Sequence, residues 1–294
     1  NPSAGSVLEN VVVNQGVFGS QQNNPLSTTA TVTVNNGGQH QIWATTSQQH
    51  KIELNDGGIL RKGDNSVGTI NGQITLNGST AGRNIQAVTG GALNIAGKIT
   101  GTGGFTINDA GTVQLQNATN DYLGDTVISA GTLNFSATGV IPATTNLIIN
   151  AGTFATGNVA RNVASLSGTG GTISGGNILT SNQSTNTVWN GVLSGTTAQM
   201  SGSGSLTLGG TADNSSGVAI VNSGTLILAK GNTTPAGQNT THSVGGAPGV
   251  TVNGGTLQLG GAYDNITNLG TAINLAPVGI NTATYVDQIY NNVG

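Results

Sequence analysis

The chain of 294 residues contains no cysteine. Disulfides, thiolate metal sites and cysteine nucleophiles are therefore excluded. Charge is also scarce: 6% of the residues are charged, against about 25% in an ordinary globular domain. The seven basic residues are scattered and the formal net charge is −3. No patch for a phosphate backbone results, and no nucleic-acid partner is expected. Aromatic residues make up 3%, which argues against one large globular core. No apolar run approaches the roughly 20 residues of a membrane span, so no membrane insertion of this segment is expected. The first residue is Asn1 rather than Met and no signal-like segment follows it. The expectation is a processed or excised piece whose export signal or anchor lies outside it.

What the chain does have is glycine, 49 of them, and 35% apolar residues set among Thr, Ser, Asn and Gln. Gly103 to Ser136, GGFTINDAGTVQLQNATNDYLGDTVISAGTLNFS, reads as one unit. It has short strands at Phe105/Ile107, Val113/Leu115, Val127/Ile128 and Leu133/Phe135, each alternating apolar with polar as a half-buried strand does. Glycines punctuate the pairs. The pattern recurs. Ala110-Gly111-Thr112-Val113 is echoed by Ala130-Gly131-Thr132-Leu133 and by Ala151-Gly152-Thr153-Phe154. Gly204-Ser205-Leu206-Thr207-Leu208 is echoed by Gly224-Thr225-Leu226-Ile227-Leu228, and Gly255-Thr256-Leu257-Gln258-Leu259 continues the series.

Self-similarity at about 20 residues, built from strands alone, is the mark of a solenoid. One such coil cannot bury its own apolar face and must stack on its neighbours. Stacking puts each strand beside its counterpart one turn away, which makes parallel sheets. The predicted fold is all-β: a right-handed parallel β-helix with about 20-residue rungs, its handedness following the general preference of parallel crossovers.

The same stretch resembles the autotransporter-associated β-strand repeat of bacterial surface proteins. Gly111-Thr112-Val113-Gln114-Leu115, then Asn120-x-Tyr122-x-Gly124-x-Thr126, then Gly131-Thr132-Leu133 match that repeat in order and spacing. Ser203 to Leu228 is a degraded second copy without the Tyr-x-Gly. The close match covers roughly 35 residues, with weaker copies over most of the chain. The resemblance implies a passenger-like β-helix at the bacterial cell surface or outside the cell. It implies Gly111, Thr112, Asn120, Tyr122, Gly124, Thr126, Gly131, Thr132 and Leu133 as the residues that define the repeat, and it is specific for architecture rather than activity.

Three regions are expected. Residues 1–50 are irregular N-terminal rungs or a cap. Residues 51–281 are solenoid rungs, with a long insertion at 230–248. Residues 282–294 break the pattern with helix-like spacing at Tyr285, Val286, Ile289 and Tyr290, a C-terminal cap or junction. Pro142 belongs at a corner because it cannot donate to a central ladder. Arg61-Lys62-Gly63-Asp64, the most charged cluster, reads as a solvated turn before it reads as a contact for a small anion or carboxylate.

Related parallel β-helices include pectin-degrading lyases and hydrolases, whose sites need clustered carboxylates on one outer face. The ten acids here show no such cluster by spacing, and Asp56, Asp109 and Asp264 sit in Asn/Gly turns where Asp steadies the backbone. Asp121 and Asp125 flank Tyr122, but two carboxylates fall short of the about six to eight oxygens of a Ca²⁺ site. His40, His50 and His242 lack metal-type spacing. Gly202-Ser203-Gly204 has no following helix to make a phosphate loop. Tyr122 and Tyr263 read as packing over turns before they read as sugar platforms. No catalytic residue, cofactor or metal is expected. The expected function is a non-catalytic structural or adhesive extracellular rod. Its expected partners are a host surface or glycan, and other copies of itself meeting end to end through open solenoid edges. The alternative is a polysaccharide-active enzyme or glycan-binding module on the same scaffold.

Overall fold

The computed structural model describes residues 8–21, 23, 26–78, 82–212, 214, 218–230 and 250–259. The insertion expected at 230–248, beyond Lys230, and the cap or junction at 282–294 lie outside the described residues. The fold is all-β, with parallel sheets wound as a solenoid of about ten turns of about 21 residues. Among the described residues no helix is long and apolar enough to cross a membrane. The chain divides into two compact units, Asn1–Thr145 and Asn146–Gly294.

In unit 1 each turn visits up to three sheets. The first turn holds β1 (Leu8–Val13) and β2 (Gly16–Ser20); the second β3 (Leu26–Val34), β4 (Gly38–Ile42) and β5 (Ser47–Gln48). The third holds β6 (Lys51–Leu54), β7 (Ile59–Lys62) and β8 (Val67–Ile70); the fourth β9 (Ile74–Leu76), β10 (Asn84–Ala87) and β11 (Ala92–Ile95). Then come β12 (Ile99–Gly101), β13 (Phe105–Ile107) and β14 (Thr112–Leu115), and finally β15 (Thr126–Ile128) and β16 (Thr132–Phe135). The sheets run β1-β3-β6-β9-β12, β2-β4-β7-β10-β13-β15 and β5-β8-β11-β14-β16. Residues before position 50 thus pair in the same sheets as those after it.

Register turns the repeat into columns. Val32, Ile52, Ile74 and Ile99 stack in one inward file, and Leu93, Val113 and Leu133 in another. All seven are fully buried, each worth about 1.5–3 kcal/mol relative to exposure. Alternate residues on the same strands face out and are mostly Thr, Asn or Gln, with Lys51 and Glu53 on β6 and Ala92 on β11 among the exceptions.

Unit 2 repeats the plan with β17 (Asn146–Ile149), β18 (Thr153–Ala155), β19 (Arg161–Val163), β20 (Ser165–Ser167) and β21 (Thr172–Ser174). These are followed by β22 (Ile178–Gln183), β23 (Thr187–Trp189), β24 (Val192–Ser194), β25 (Thr197–Gly202) and β26 (Ser205–Leu208). The last are β27 (Val218–Val221), β28 (Thr225–Leu228), β29 (Val250–Val252) and β30 (Thr256–Leu259). Its pairings are again parallel, as in β19-β22-β25-β27-β29 and β23-β26-β28-β30. Leu206, Leu226 and Leu257 form one of its inward columns.

A ladder of asparagine amides ties one corner of unit 1. Asn35 donates to Asn14 at 2.6 Å, Asn55 to Asn35 at 2.5 Å and Asn77 to Asn55 at 3.0 Å. Each amide carries both donors and acceptors, so each can give to one turn and receive from the other.

One expectation is corrected here. Arg61-Lys62-Gly63-Asp64 is no solvated turn: Lys62 is fully buried. Its ammonium donates to Asp64 and to the Ile42 carbonyl. Gly68 makes room for its stem, since a Cβ there would meet Ile42 and the Lys62 methylenes. Arg61 reaches across to Asp109 at 2.7 Å. Arg83 is buried too, donating to Asp56 at 2.5 Å, to the Asn77 carbonyl and to the Gly104 carbonyl.

The amide ladder predicts graded losses. Asn55→Ala removes two ladder bonds and is expected to cost about 1–2 kcal/mol, whereas Asn14→Ala, at the exposed end, costs about 0.5 kcal/mol. Urea unfolding curves check the order, and equal costs would show that the two ladder bonds of Asn55 contribute no more than the one of Asn14.

Candidate functional site

The repeat signature converges on one corner of unit 1, where a loop replaces a strand. After β14, Asn117 makes a side-chain turn, accepting from the Thr119 N–H and hydroxyl at 2.8 Å each. The chain then follows β12 loosely: Asp121 N–H donates to the Ile99 carbonyl, and Leu123 N–H to the Gly101 carbonyl, both at 3.0 Å.

Asn120 closes what the missing strand leaves open. It is 6% exposed, and its Oδ1 accepts from the Ile99 N–H at 2.8 Å. Its Nδ2 donates to the carbonyls of Asn117 at 3.2 Å and Val140 at 2.9 Å. One side chain therefore satisfies backbone groups on the turns before and after it, which otherwise carry a desolvation penalty of about 1–3 kcal/mol each.

Tyr122 points the same way and is fully buried. Its ring meets Phe105 edge-on, with centroids 5.5 Å apart at 64°. Its hydroxyl lies 2.6 Å from Thr126 Oγ1, which lies 3.1 Å from Thr145 Oγ1, which in turn donates to the Gly124 carbonyl at 2.6 Å. A carbonyl only accepts and each hydroxyl has one proton. The order is thereby fixed: Tyr122 donates to Thr126, Thr126 to Thr145, Thr145 to Gly124. Burial pushes the Tyr122 phenol well above its ordinary value, outweighing the opposing hydrogen bonds of Thr126 and Thr145.

The remaining motif residues place the corner. A Cβ on Gly124 would lie 2.2 Å from the Gly104 nitrogen. Gly131 has φ +64° and would also meet the Asp109 carbonyl oxygen. Gly111 donates to the Ala87 carbonyl and accepts from Thr132 N–H. Thr112 faces outward on β14, beside Thr132 on β16, while Leu133 is core. The structure thus gathers Asn120, Tyr122, Gly124 and Thr126 at one corner, and sets Gly111, Thr112, Gly131, Thr132 and Leu133 on the adjoining β14–β16 sheet.

The other chemistry-bearing side chains are dispersed. Asp121 pairs with Lys98 at 2.6 Å, whose hydrogen bond, with that of Thr100, holds its carboxyl below the ordinary value. Burial pushes the Asp64 carboxyl up, but Lys62, Ser66 and two backbone N–H groups outweigh it and hold it well below the carboxylate range. His40 and His50 are buried. His242 and Tyr263 lie outside the described residues. Among the described residues no group of three or more His, Asp or Glu is placed to hold a metal ion.

Sequence reasoning missed two participants. Thr145 belongs to no motif; winding alone brings it beside Thr126. Asn214, in the copy that lacks Tyr-x-Gly, is 6% exposed and accepts from the Leu193 N–H at 2.8 Å. It stands 21 residues after its partner, as Asn120 stands 21 after Ile99 (214 − 193 and 120 − 99). The retained Asn was the available signal.

The hydroxyl relay predicts an inequality. Tyr122→Phe leaves one acceptor on Thr126 unused and is expected to cost about 1 kcal/mol. Thr145→Val orphans both the Thr126 donor and the Gly124 carbonyl, and is expected to cost about 2–3 kcal/mol. Thermal and denaturant unfolding of the two variants check this; a cheaper Thr145→Val would overturn the donor order.

No family model matches the chain, and no solved structure matches it. The Adhesin BmaC autotransporter of Brucella suis biovar 1 (strain 1330) is 29% identical over 252 residues, which cover 78% of this chain and 7% of that protein. The chain therefore corresponds to a small part of that relative's length. This likeness and the stacked parallel sheets together fit an autotransporter passenger-like β-helix.

Proposed function

We propose that the chain is a non-catalytic adhesive β-helix module presented outside a bacterial cell or on its surface. The observation that carries this reading is where the acidic side chains go. Asp56, Asp64, Asp109 and Asp121 each hold a cation: Arg83, Lys62, Arg61 and Lys98 in turn. These four carboxylates, of the kind a hydrolase or lyase would need on an outer face, are engaged in fastening the scaffold. The likeness to a bacterial adhesin supports adhesion and surface display. In this reading the repeat residues from Gly111 to Leu133 lock turns together and touch no ligand, while the outward Thr, Asn and Gln rows and the insertion expected at 230–248 meet a host surface or glycan.

A second role, end-to-end association, is favoured by one observation. Among the described residues β1 and β2 pair on one side only, and they expose Val12 (62%) and Val17 (60%). An edge strand with apolar side chains invites another strand, and a head-to-tail contact between identical copies propagates as a filament.

Beads coated with the chain are expected to attach to cultured epithelial cells several-fold better than albumin-coated beads. Incubation with pectate and other acidic polysaccharides is expected to release no new reducing ends or unsaturated products. Attachment no better than albumin overturns adhesion, and product release overturns the non-catalytic reading. Negative-stain microscopy across a concentration series separates the second role: fibres support it, and isolated particles throughout remove it.

A further inference from the structure

Two imidazoles lie in the core of the early turns of unit 1, among apolar side chains. His40 on β4 is stacked over Leu60 and Ile85 of the next two turns. His50 occupies the turn before β6. Both are fully buried, with ring centroids 5.1 Å apart and planes tilted by 38°. Phe18 packs on His40 at 5.2 Å. Ser20 Oγ lies 3.1 Å from His40 Nε2, but His40 Nδ1 and both ring nitrogens of His50 have no hydrogen-bond partner. Buried polar atoms are normally satisfied, and an orphan marks stored instability.

Little in the surroundings compensates a positive charge there. β2, β3, β5 and β8 carry no charged residue. On β7, Arg61 is held by Asp109 and Lys62 by Asp64. On β6, Lys51 is exposed and Glu53 accepts from the Thr33 hydroxyl. β1 carries Glu9. A second protonation would set two like charges about 5 Å apart in a low dielectric.

We propose that the His40–His50 pair makes the first turns of unit 1 acid-labile, so that protonating one buried ring opens β2, β4 and β5 while the turns from β13 onward stay closed. Solenoid turns contact only their neighbours, so a local fault opens locally. Burial pushes both imidazoles down, His50 to about 4, and the charge of His50 lowers His40 further. The unfolded chain, with its imidazoles near 6.5, therefore binds more protons than the folded one. Stability is complete above that value and falls with pH until His50 itself protonates in the folded state, near 4.

Hydrogen exchange read by mass spectrometry on the full chain, from about pH 7.5 down to about pH 4 and corrected for intrinsic rates, tests the proposal. Peptides spanning Gly16–Leu54 are expected to open more as the pH falls below about 6.5, approaching about a hundredfold per pH unit because the opened chain takes up two protons. Peptides spanning Phe105–Phe135 are expected to keep their protection. His50→Leu, which replaces an imidazole without partners by an apolar side chain, and His40→Leu each remove one depressed ring, and each is expected to reduce the slope to at most about tenfold per pH unit. Uniform loss across both regions, no loss, or an unchanged slope in both variants overturns the proposal. Should the variants fail to fold, NMR titration of the wild-type imidazoles decides: both rings titrating near 6.5 overturns it, and depressed titration coincident with loss of the β2–β5 amides supports it.

Discussion

Among the described residues no strand pairs with another strand of its own turn. The ladders run only to the turn above or below, and that single constraint organises the rest. It demands that the chain come back beside its own earlier strands after about 21 residues. It also demands that inward side chains match in size down each column, because adjacent turns sit about 4.8 Å apart. The files Val32-Ile52-Ile74-Ile99 and Leu93-Val113-Leu133 meet that demand with aliphatics of similar bulk. Where a turn departs from the strand path, something else must satisfy the orphaned backbone. Asn120 and Asn214 are that substitute, each an amide inserted where a ladder is interrupted.

The same constraint accounts for the buried cations. A solenoid core is narrow, so a long side chain entering it meets backbone carbonyls of neighbouring turns rather than a wide apolar interior. Lys62 and Arg83 use those carbonyls, with Asp64 and Asp56 near the surface supplying the opposing charge. A charged group desolvated in this way contributes little net stability, but removing its partner is costly. Such residues fix which turn lies next to which, a specificity that aliphatic columns alone lack because they resemble one another.

The period, the parallel pairing and the apolar columns were legible in the sequence because strand alternation and Gly-Thr-Leu recurrence are local signals. The polar interior was less legible. Ile59-Leu60-Arg61-Lys62 shows why: with Leu60 inward, period 2 also sends Lys62 inward, yet the general rule that Lys stays in water favoured a solvated turn. His40 has the same parity as Ile42 and is likewise buried. Parity outranked polarity in both strands. At the corner, the motif named Tyr122 and Thr126 but not the hydroxyl of Thr145 that completes their relay, since that residue arrives by winding and not by sequence proximity.

Packing that is satisfied so completely has a consequence for recognition. Tyr122, the motif's aromatic, cannot stack on a sugar while its ring lies against Phe105 and its hydroxyl feeds Thr126. The outward rows remain for a ligand, because side chains there can vary without disturbing a column. The solenoid thus separates two kinds of position along each strand: inward residues, bound by the register of neighbouring turns, and outward residues, free to answer to a partner. Conserving the first while varying the second would let one scaffold present many surfaces, and that separation is set by strand parity alone.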